Sequence, residues 1–268
     1  MNKKNYMEML FMNDEFTKLF DEVSTGKNRQ DIYVEWLDYV IDINLLSLKN
    51  QDLDFEGREE YYYKMFGAWA KIVGDKICTN EYDIKTGING WYDYLGTFYQ
   101  ANIQSRSTKS NSGAFYSPPN VCQATAEIML SNNNDDYTNK LINDCCCGSG
   151  RFLLAGHSVA PEAIYIGMDL DLIAVKQACL NMYIHGITGS VLHMNSLSGE
   201  FYTGWKVNQY LNKGIIPVPH IELIKDYQEA FHYYGVKKTK QENNGTQIEL
   251  NKNNKNKLNK KTSQSTLI

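Results

Sequence analysis

The 268-residue chain has no Cys-x-x-Cys pair among its six cysteines, no apolar run of membrane length, and no apolar core behind its amino-terminal lysines. Each absence removes a class of protein. The cysteines are Cys78, Cys122, Cys145, Cys146, Cys147 and Cys179, and three adjacent ones cannot all turn to one tetrahedral ion. No metal site is expected; the thiols read as buried, reduced side chains of a cytoplasmic protein. A membrane-spanning helix needs about 20 apolar residues, so no membrane partner is expected either. Met1-Asn2-Lys3-Lys4 is followed within a few residues by Asn and Glu, which breaks any secretory signal core.

What is present is a core-forming composition with an uneven charge. Hydrophobic residues make up 43% and aromatics 12%, with 19 tyrosines, enough for one large domain or two modest ones. The net charge is −4, but eight lysines against Glu242 and Glu249 give the stretch from Lys237 onward +6 and leave the body acidic. That stretch is rich in Asn, Lys, Gln and Thr and poor in apolar residues, so 236–268 reads as a disordered tail. Its charge suits a solvated tail first and nonspecific attraction to nucleic acid second.

Residues 1–105 read as a helical region. Phe16, Leu19, Phe20 and Val23 fall at helical spacing, and Ser24-Thr25-Gly26 ends that run. Asp31 is a candidate cap for a second helix with Trp36, Leu37, Val40, Ile41 and Leu45 on its apolar face. A third carries Tyr62, Met65, Phe66, Trp69, Ile72 and Val73, and a fourth falls within Gly90 to Tyr99. Such aromatic stripes read as core before they read as a base-stacking surface. Gln104 to Ser112 is a polar loop. Beyond it, Asn120 can cap a helix with Val121, Ala124, Ile128 and Met129 on one face.

Residues 106–235 carry the informative pattern. Lys140-Leu141-Ile142-Asn143 reads as a buried strand, Asp144-Cys145-Cys146-Cys147-Gly148-Ser149-Gly150 as a turn, and Leu153-Leu154-Ala155-Gly156 as a helix start. Gly148 and Gly150 let a ligand approach the backbone, and a helix start offers unpaired N–H groups. A second strand, Ala163 to Met168, ends in Asp169; Leu172 to His185 is a helix; a third strand, Ser190 to Met194, ends in Asn195. Asp144, Asp169 and Asn195 therefore each close a strand. In a parallel doubly wound sheet those ends share the edge where ligands bind, and an acid after the second strand grips ribose hydroxyls. A nicotinamide dehydrogenase uses the same logic, but the third fingerprint glycine is replaced by Leu153.

Four ordered segments resemble the DNA adenine-N6 methyltransferases, and most closely the modification subunits of type I restriction systems. Gly113-Ala114-Phe115-Tyr116-Ser117-Pro118 is similar to that family's Gly-x-Phe-Tyr-Thr-Pro segment. Asp144 to Phe152 is similar to its Asp-Pro-x-Cys-Gly-Ser-Gly-Gly-Phe motif, with Cys145 in place of Pro and Arg151 in place of Gly. Gly167-Met168-Asp169 matches the acidic strand end, and Asn195-Ser196-Leu197 a third motif of the Asp-Ser-Leu kind. The resemblance implies an α/β fold, a Rossmann-like methyltransferase sheet that is incomplete, with an N-terminal helical region. It implies S-adenosylmethionine as cofactor. Phe115 would pack on the cofactor adenine, and Tyr116, Ser117 and Pro118 would close over its methionine end. Asp144, Gly148 and Gly150 would hold the amino-acid part, Asp169 the ribose, and Asn195 the adenine edge. DNA is the implied substrate, with a specificity or second methyltransferase subunit as partner.

Family members then carry Asn-Pro-Pro-Phe or Asn-Pro-Pro-Tyr after a fourth strand, to hold the flipped base in line with the methyl donor. No Asn-Pro or Asp-Pro follows Asn195. Ile216-Pro217-Val218-Pro219-His220 is the nearest segment and fits a Pro-rich connection better; Phe201 to Leu211 reads as helical or irregular and Ile221 to Tyr234 as a helix. Two functions stay open: a DNA adenine methyltransferase, and a non-catalytic relative that holds the cofactor or a partner.

Overall fold

The computed structural model describes residues 14–46, 55–78, 90–104, 116–130, 136–211 and 214–229. The Gly113–Phe115 part of the aromatic segment, most of the Gln104–Ser112 loop and the tail from Lys237 lie outside these residues.

Among the described residues, four helices build the amino-terminal layer. In α1 (Glu15–Val23) the Asp14 carboxylate accepts the Thr17 N–H at 2.7 Å, and Ser24 ends the helix, as its sequence indicates. The α2 helix (Arg29–Ile43) is capped by Asn28, whose side chain accepts the Gln30 N–H at 3.0 Å. Asp31, expected as the cap, sits instead in the first turn, where its charge still favours the positive helix end. Next come α3 (Glu59–Cys78) and α4 (Tyr94–Asn102). Their aromatic stripes face inward. Phe16 meets Trp36, Tyr94 and Phe98 edge-on at 4.9, 5.3 and 5.0 Å. The Tyr94 hydroxyl donates to Asp14 at 2.9 Å and so fastens α1 to α4.

The sheet has strand order β1-β2-β3-β4-β5. Strands β1 (Leu141–Asp144), β2 (Ile164–Asp169) and β3 (Gly189–Asn195) are parallel. They are joined by α6 (Arg151–Val159) and α7 (Leu172–Ile184). β2 and β3 are buried, as parallel strands covered on both faces are. β1 departs from the expected buried strand. It stands at the sheet edge, and Leu141 is 38% exposed.

The segment expected to be helical or irregular, and the start of the one expected to be a helix, are strands. β4 (Glu200–Val207) turns back antiparallel on β3, and β5 (Ile221–Ile224) pairs antiparallel with β4. The pattern Thr203-Gly204-Trp205-Lys206-Val207 alternates poorly, so its period alone does not name a strand. Neighbours decide it: a Cβ at Gly204 would stand 2.7 Å from the Val191 carbonyl oxygen, so only glycine lets β4 close on β3 there.

The helix α5 (Pro119–Leu130) precedes β1 and is turned opposite to its expected face. Val121, Ile128 and Met129 are 47%, 85% and 69% exposed, whereas Cys122, Gln123 and Ala126 are buried. The small Cys122 and Ala126 let α5 pack on α6, and Gln123 accepts the Trp91 indole N–H at 2.7 Å. One hydrophobic core runs from Phe16 through Trp36, Trp69 and Leu153 to Val191 and Ile221.

Candidate functional site

Parallel pairing brings the ends of β1, β2 and β3 to one edge. Asp144 stands opposite Gly167, and Asp169 opposite His193, two residues before Asn195. The loop after β1 crosses this edge. The Cys147 N–H donates to the Met168 carbonyl at 2.8 Å, and the Gly148 N–H to Asp169 Oδ2 at 2.8 Å. Gly148 and Gly150 have φ of 53° and 88°, the left-handed region where a side chain costs most. Gly150 is the N-cap of α6 and offers no side-chain cap.

The aromatic segment closes the other side. A Cβ at Gly148 would lie 3.1 Å from Tyr116 Cδ1, so the loop and the tyrosine pack directly. The Tyr116 hydroxyl donates to Gln177 at 2.7 Å, and burial pushes its pKa well up. The Ser117 carbonyl accepts from Arg151 Nη1 at 2.9 Å, and Pro118 starts α5 by accepting the Val121 N–H at 2.9 Å. Tyr116, Ser117, Gly148, Gly150, Asp144 and Asp169 are thus brought together. Asn195 lies two strands from Asp144, its Oδ1 accepting the Leu197 N–H at 3.1 Å and the Ser198 N–H at 3.2 Å. Phe115 lies outside the described residues.

A group that sequence reasoning missed holds this arrangement. Asp93, the cap of α4, is 2% exposed. Its Oδ2 takes the Ser149 hydroxyl and the Arg151 Nε–H, each at 2.6 Å, and its Oδ1 takes Gly96 N–H and Asn181 Nδ2 at 2.8 Å. Arg151 stands where the resembling motif has glycine. It ties the loop to α4 and to Ser117 at once, with its guanidinium 5.6 Å from the Tyr116 ring centroid. The only advance signal for Asp93 is an acid three residues before Gly96, at a cap position.

The two acids differ. Asp169 is engaged through both oxygens, by Gly148 and by the Asp171 N–H at 2.9 Å. Asp144 accepts the Cys146 N–H at 3.1 Å through Oδ1, but its Oδ2 is buried without a hydrogen-bond partner. Burial raises its pKa first, and the nearby Asp169 charge adds to this. A buried carboxylate lacking a partner suits a cationic ligand group. All six cysteines are free; Cys122, Cys147 and Cys179 are buried as expected, but Cys78, Cys145 and Cys146 are exposed. Among the described residues no cluster of His, Cys, Asp and Glu could hold a metal ion, and no helix is long and apolar enough to cross a membrane.

The segment Ile216 to His220 is far from this edge. It links β4 to β5 at the end where β3 begins, since Val207 pairs with Gly189 and Ile221. There the buried His220 accepts the Tyr210 N–H at 3.2 Å and donates its own backbone N–H to Asn208 at 3.1 Å. It is a structural corner, remote from Asp144.

Fold and loop together define an open, mixed α/β protein with an incomplete Rossmann-like sheet, whose glycine loop stands at the carboxyl ends of its parallel strands. Residues 91–216, just under half of the chain, match the N-6 DNA Methylase family. It is similar to the type II methyltransferase M.MamI of Microbacterium ammoniaphilum, 29% identical over 111 residues, 35% of this chain and 31% of that protein. It is also similar to the methyltransferase subunit of a type I restriction-modification system from Streptococcus thermophilus. That likeness has 19% identity and a TM-score of 0.30, covering 64% of this chain and 36% of that one. The chain spans about a third of the length of both.

Proposed function

We propose that the chain binds S-adenosylmethionine at the carboxyl ends of β1 to β3 and serves adenine-N6 methylation of DNA, of the restriction-modification type, in the cytoplasm. The observation that carries this reading is the orphaned Asp144 Oδ2 beside a glycine loop that a side chain would block. Asp144 would hold the cationic amino-acid end, with the Gly148 and Gly150 backbone against it. Asp169 has lone pairs left for ribose hydroxyls after its two backbone bonds. Asn195 would use its amide at the adenine edge, Phe115 would stack on the adenine, and Tyr116, Ser117 and Pro118 would cover the methionine end. Bound there, the cofactor supplies an electrophilic methyl group.

One observation favours a second reading for the chain acting by itself. In a doubly wound sheet the crevice lies where strand order reverses, between β1 and a strand on its other side. Here β4 turns back on β3, and among the described residues no strand lies beyond β1. Groups to hold a flipped base are therefore not assembled beside Asp144, and a specificity or second methyltransferase subunit would bring them to the DNA. The proposed organisation is a helical region to 105, a methyltransferase domain over 106–235 and a polar basic tail over 236–268.

Titration calorimetry with S-adenosylmethionine, then methyl transfer to mixed-sequence DNA on the same sample, tests both readings. Binding without transfer is expected for the isolated chain. Transfer would show that the chain holds its own acceptor site, and absence of binding would end the cofactor assignment.

A further inference from the structure

Tyr33 on α2 and Gln177 on α7 are polar, and both are fully buried. Their hydrogen bonds form one line. The Tyr116 hydroxyl donates to Gln177 Oε1 at 2.7 Å, Gln177 Nε2 donates to the Tyr33 hydroxyl at 3.2 Å, and the Tyr33 hydroxyl donates to the Leu95 carbonyl at 3.1 Å. The direction of this line is fixed at its far end. A carbonyl only accepts, so Tyr33 commits its one proton to Leu95 and can only accept from Gln177. Gln177 must then turn its N–H to Tyr33 and its oxygen to Tyr116, and Tyr116 must donate. A flipped amide would set two oxygens face to face at Tyr33 with no proton between them. At the near end the Tyr116 ring lies against the glycine loop: a Cβ at Gly148 would stand 3.1 Å from its Cδ1 and 3.3 Å from its Cε1. The N–H of that same Gly148 is the one held by Asp169.

Packing alone does not call for these polar groups. The Tyr33 ring stacks on Phe98 and Tyr99 at 5.8 and 5.6 Å, which a phenylalanine would do as well. Gln177 sits on a stretch of α7 with the buried Ala174, Val175 and Ala178, where an apolar side chain would fill the same volume. A buried amide and a buried hydroxyl give up their hydration, and what a fully matched line returns is one fixed orientation. We propose that Gln177 and Tyr33 are positioning residues of the cofactor site: they set the Tyr116 ring against Gly148, and through it the loop that reaches Asp169. Neither residue has to touch the cofactor. The amino-terminal helices thereby share in shaping the site, because the line passes through α2 and ends on α4. The expected effect on affinity rests on the S-adenosylmethionine reading; the effect on the loop does not.

Two readouts on the full chain test this. The first is amide hydrogen exchange of the ligand-free protein in peptides covering 144–152, which hold the Cys147 and Gly148 N–H groups. Gln177→Leu keeps the volume and removes both bonds, and should speed exchange there by about tenfold while β2 and α1 stay protected. The second is titration calorimetry with S-adenosylmethionine. Gln177→Leu should weaken binding by about tenfold, and the milder Tyr33→Phe, which leaves the Gln177 N–H unpaired, by about threefold. Tyr116→Phe added to Gln177→Leu should bind about as weakly as Gln177→Leu alone, because the hydroxyl has already lost its partner. Gln177→Glu should come within about threefold of wild type at about pH 6. A neutral carboxyl offers the same carbonyl and one donor, and burial together with the Asp93 and Asp171 charges that act on Tyr116 keeps it neutral. A purely stabilising pair would lower melting temperatures and leave loop exchange and affinity alone. Exchange at 144–152 that is unchanged in Gln177→Leu and Tyr33→Phe, or that rises equally in β2 and α1, overturns the proposal. So does undiminished affinity in both variants of a chain whose wild type binds, or a Gln177→Glu variant as weak as Gln177→Leu. A wild type that binds no S-adenosylmethionine ends the cofactor reading, and exchange at 144–152 then decides the positioning role by itself.

Discussion

The two edges of the sheet are both four-residue strands, and they differ in everything else. At the β5 edge, the Leu46 N–H donates to the Ile221 carbonyl at 2.9 Å and the Ile221 N–H to the Asn44 carbonyl at 3.0 Å. The segment leaving α2 thus seals that edge, and Ile221 is fully buried. At the β1 edge nothing comparable arrives among the described residues. Local sequence does not account for this, since Leu141-Ile142 is as apolar as Ile221 and its neighbours. An edge is closed by what the chain lays beside it. Here the segment after α2 closes the side away from the loop, and among the described residues nothing pairs with the edge next to Asp144.

The largest effect is expected where the helical layer is fastened to the loop. Asp93→Ala leaves the Arg151 guanidinium buried without its carboxylate, and should cost about 3–5 kcal/mol in urea unfolding, with loss of any cofactor binding. If stability barely moves, the loop is held by other contacts and the closed side is less rigid than described. Next, the edges can be set against each other. Ile221→Ala should cost about 2–5 kcal/mol, whereas Leu141→Ala, 38% exposed, should cost only about 1 kcal/mol. Similar losses at the two positions would erase the contrast between the edges.

Acid tests the buried interior further. Burial lowers the pKa of His157 and of His185 from 6.5 to about 4. His185 is held neutral between the Tyr92 N–H and the Asn181 carbonyl. A base whose folded pKa lies below its unfolded value favours folding above the unfolded value. That stability is complete above about pH 6.5 and is lost as pH falls toward 4, about 1 kcal/mol or more per histidine. Urea midpoints at several pH values should fall across this window, and a flat profile would place both rings in water.

The smallest effect belongs to the open side and has the opposite sign. The Asp144 carboxyl is raised by burial, so ionising it works against the fold as pH rises through its folded value. Asp144→Asn should therefore raise the melting temperature at pH 7 by about 2–4 °C while abolishing S-adenosylmethionine binding in calorimetry. A lower melting temperature would mean that the carboxylate has a partner in the folded chain.

Much of the arrangement was legible in the residues. Asp144, Asp169 and Asn195 each end an apolar run, and three such runs with helices between them predict three parallel strands whose ends meet. The helical spacing of Phe16, Phe20, Trp36, Tyr62, Met65 and Trp69 likewise predicts the aromatic core that is found. Other features were not legible. The direction of β4 depends on Gly204 fitting against Val191, and the face of α5 on a bond from Trp91 to Gln123. Arg151 showed only as a departure from a motif, because its partner Asp93 is 58 residues away along the chain.

By itself the sequence determined the parts: which segments can be strands or helices, which turn admits a ligand to its backbone, and which acids stand at strand ends. These follow from period and from residue type, which act over a few neighbours. Only the tertiary structure decided how the parts are joined. It turned the chain after β3 away from β1 and buried Asp93 with Arg151 beneath the loop. Each of these depends on contacts between distant residues, whose burial and pairing outweigh any local preference.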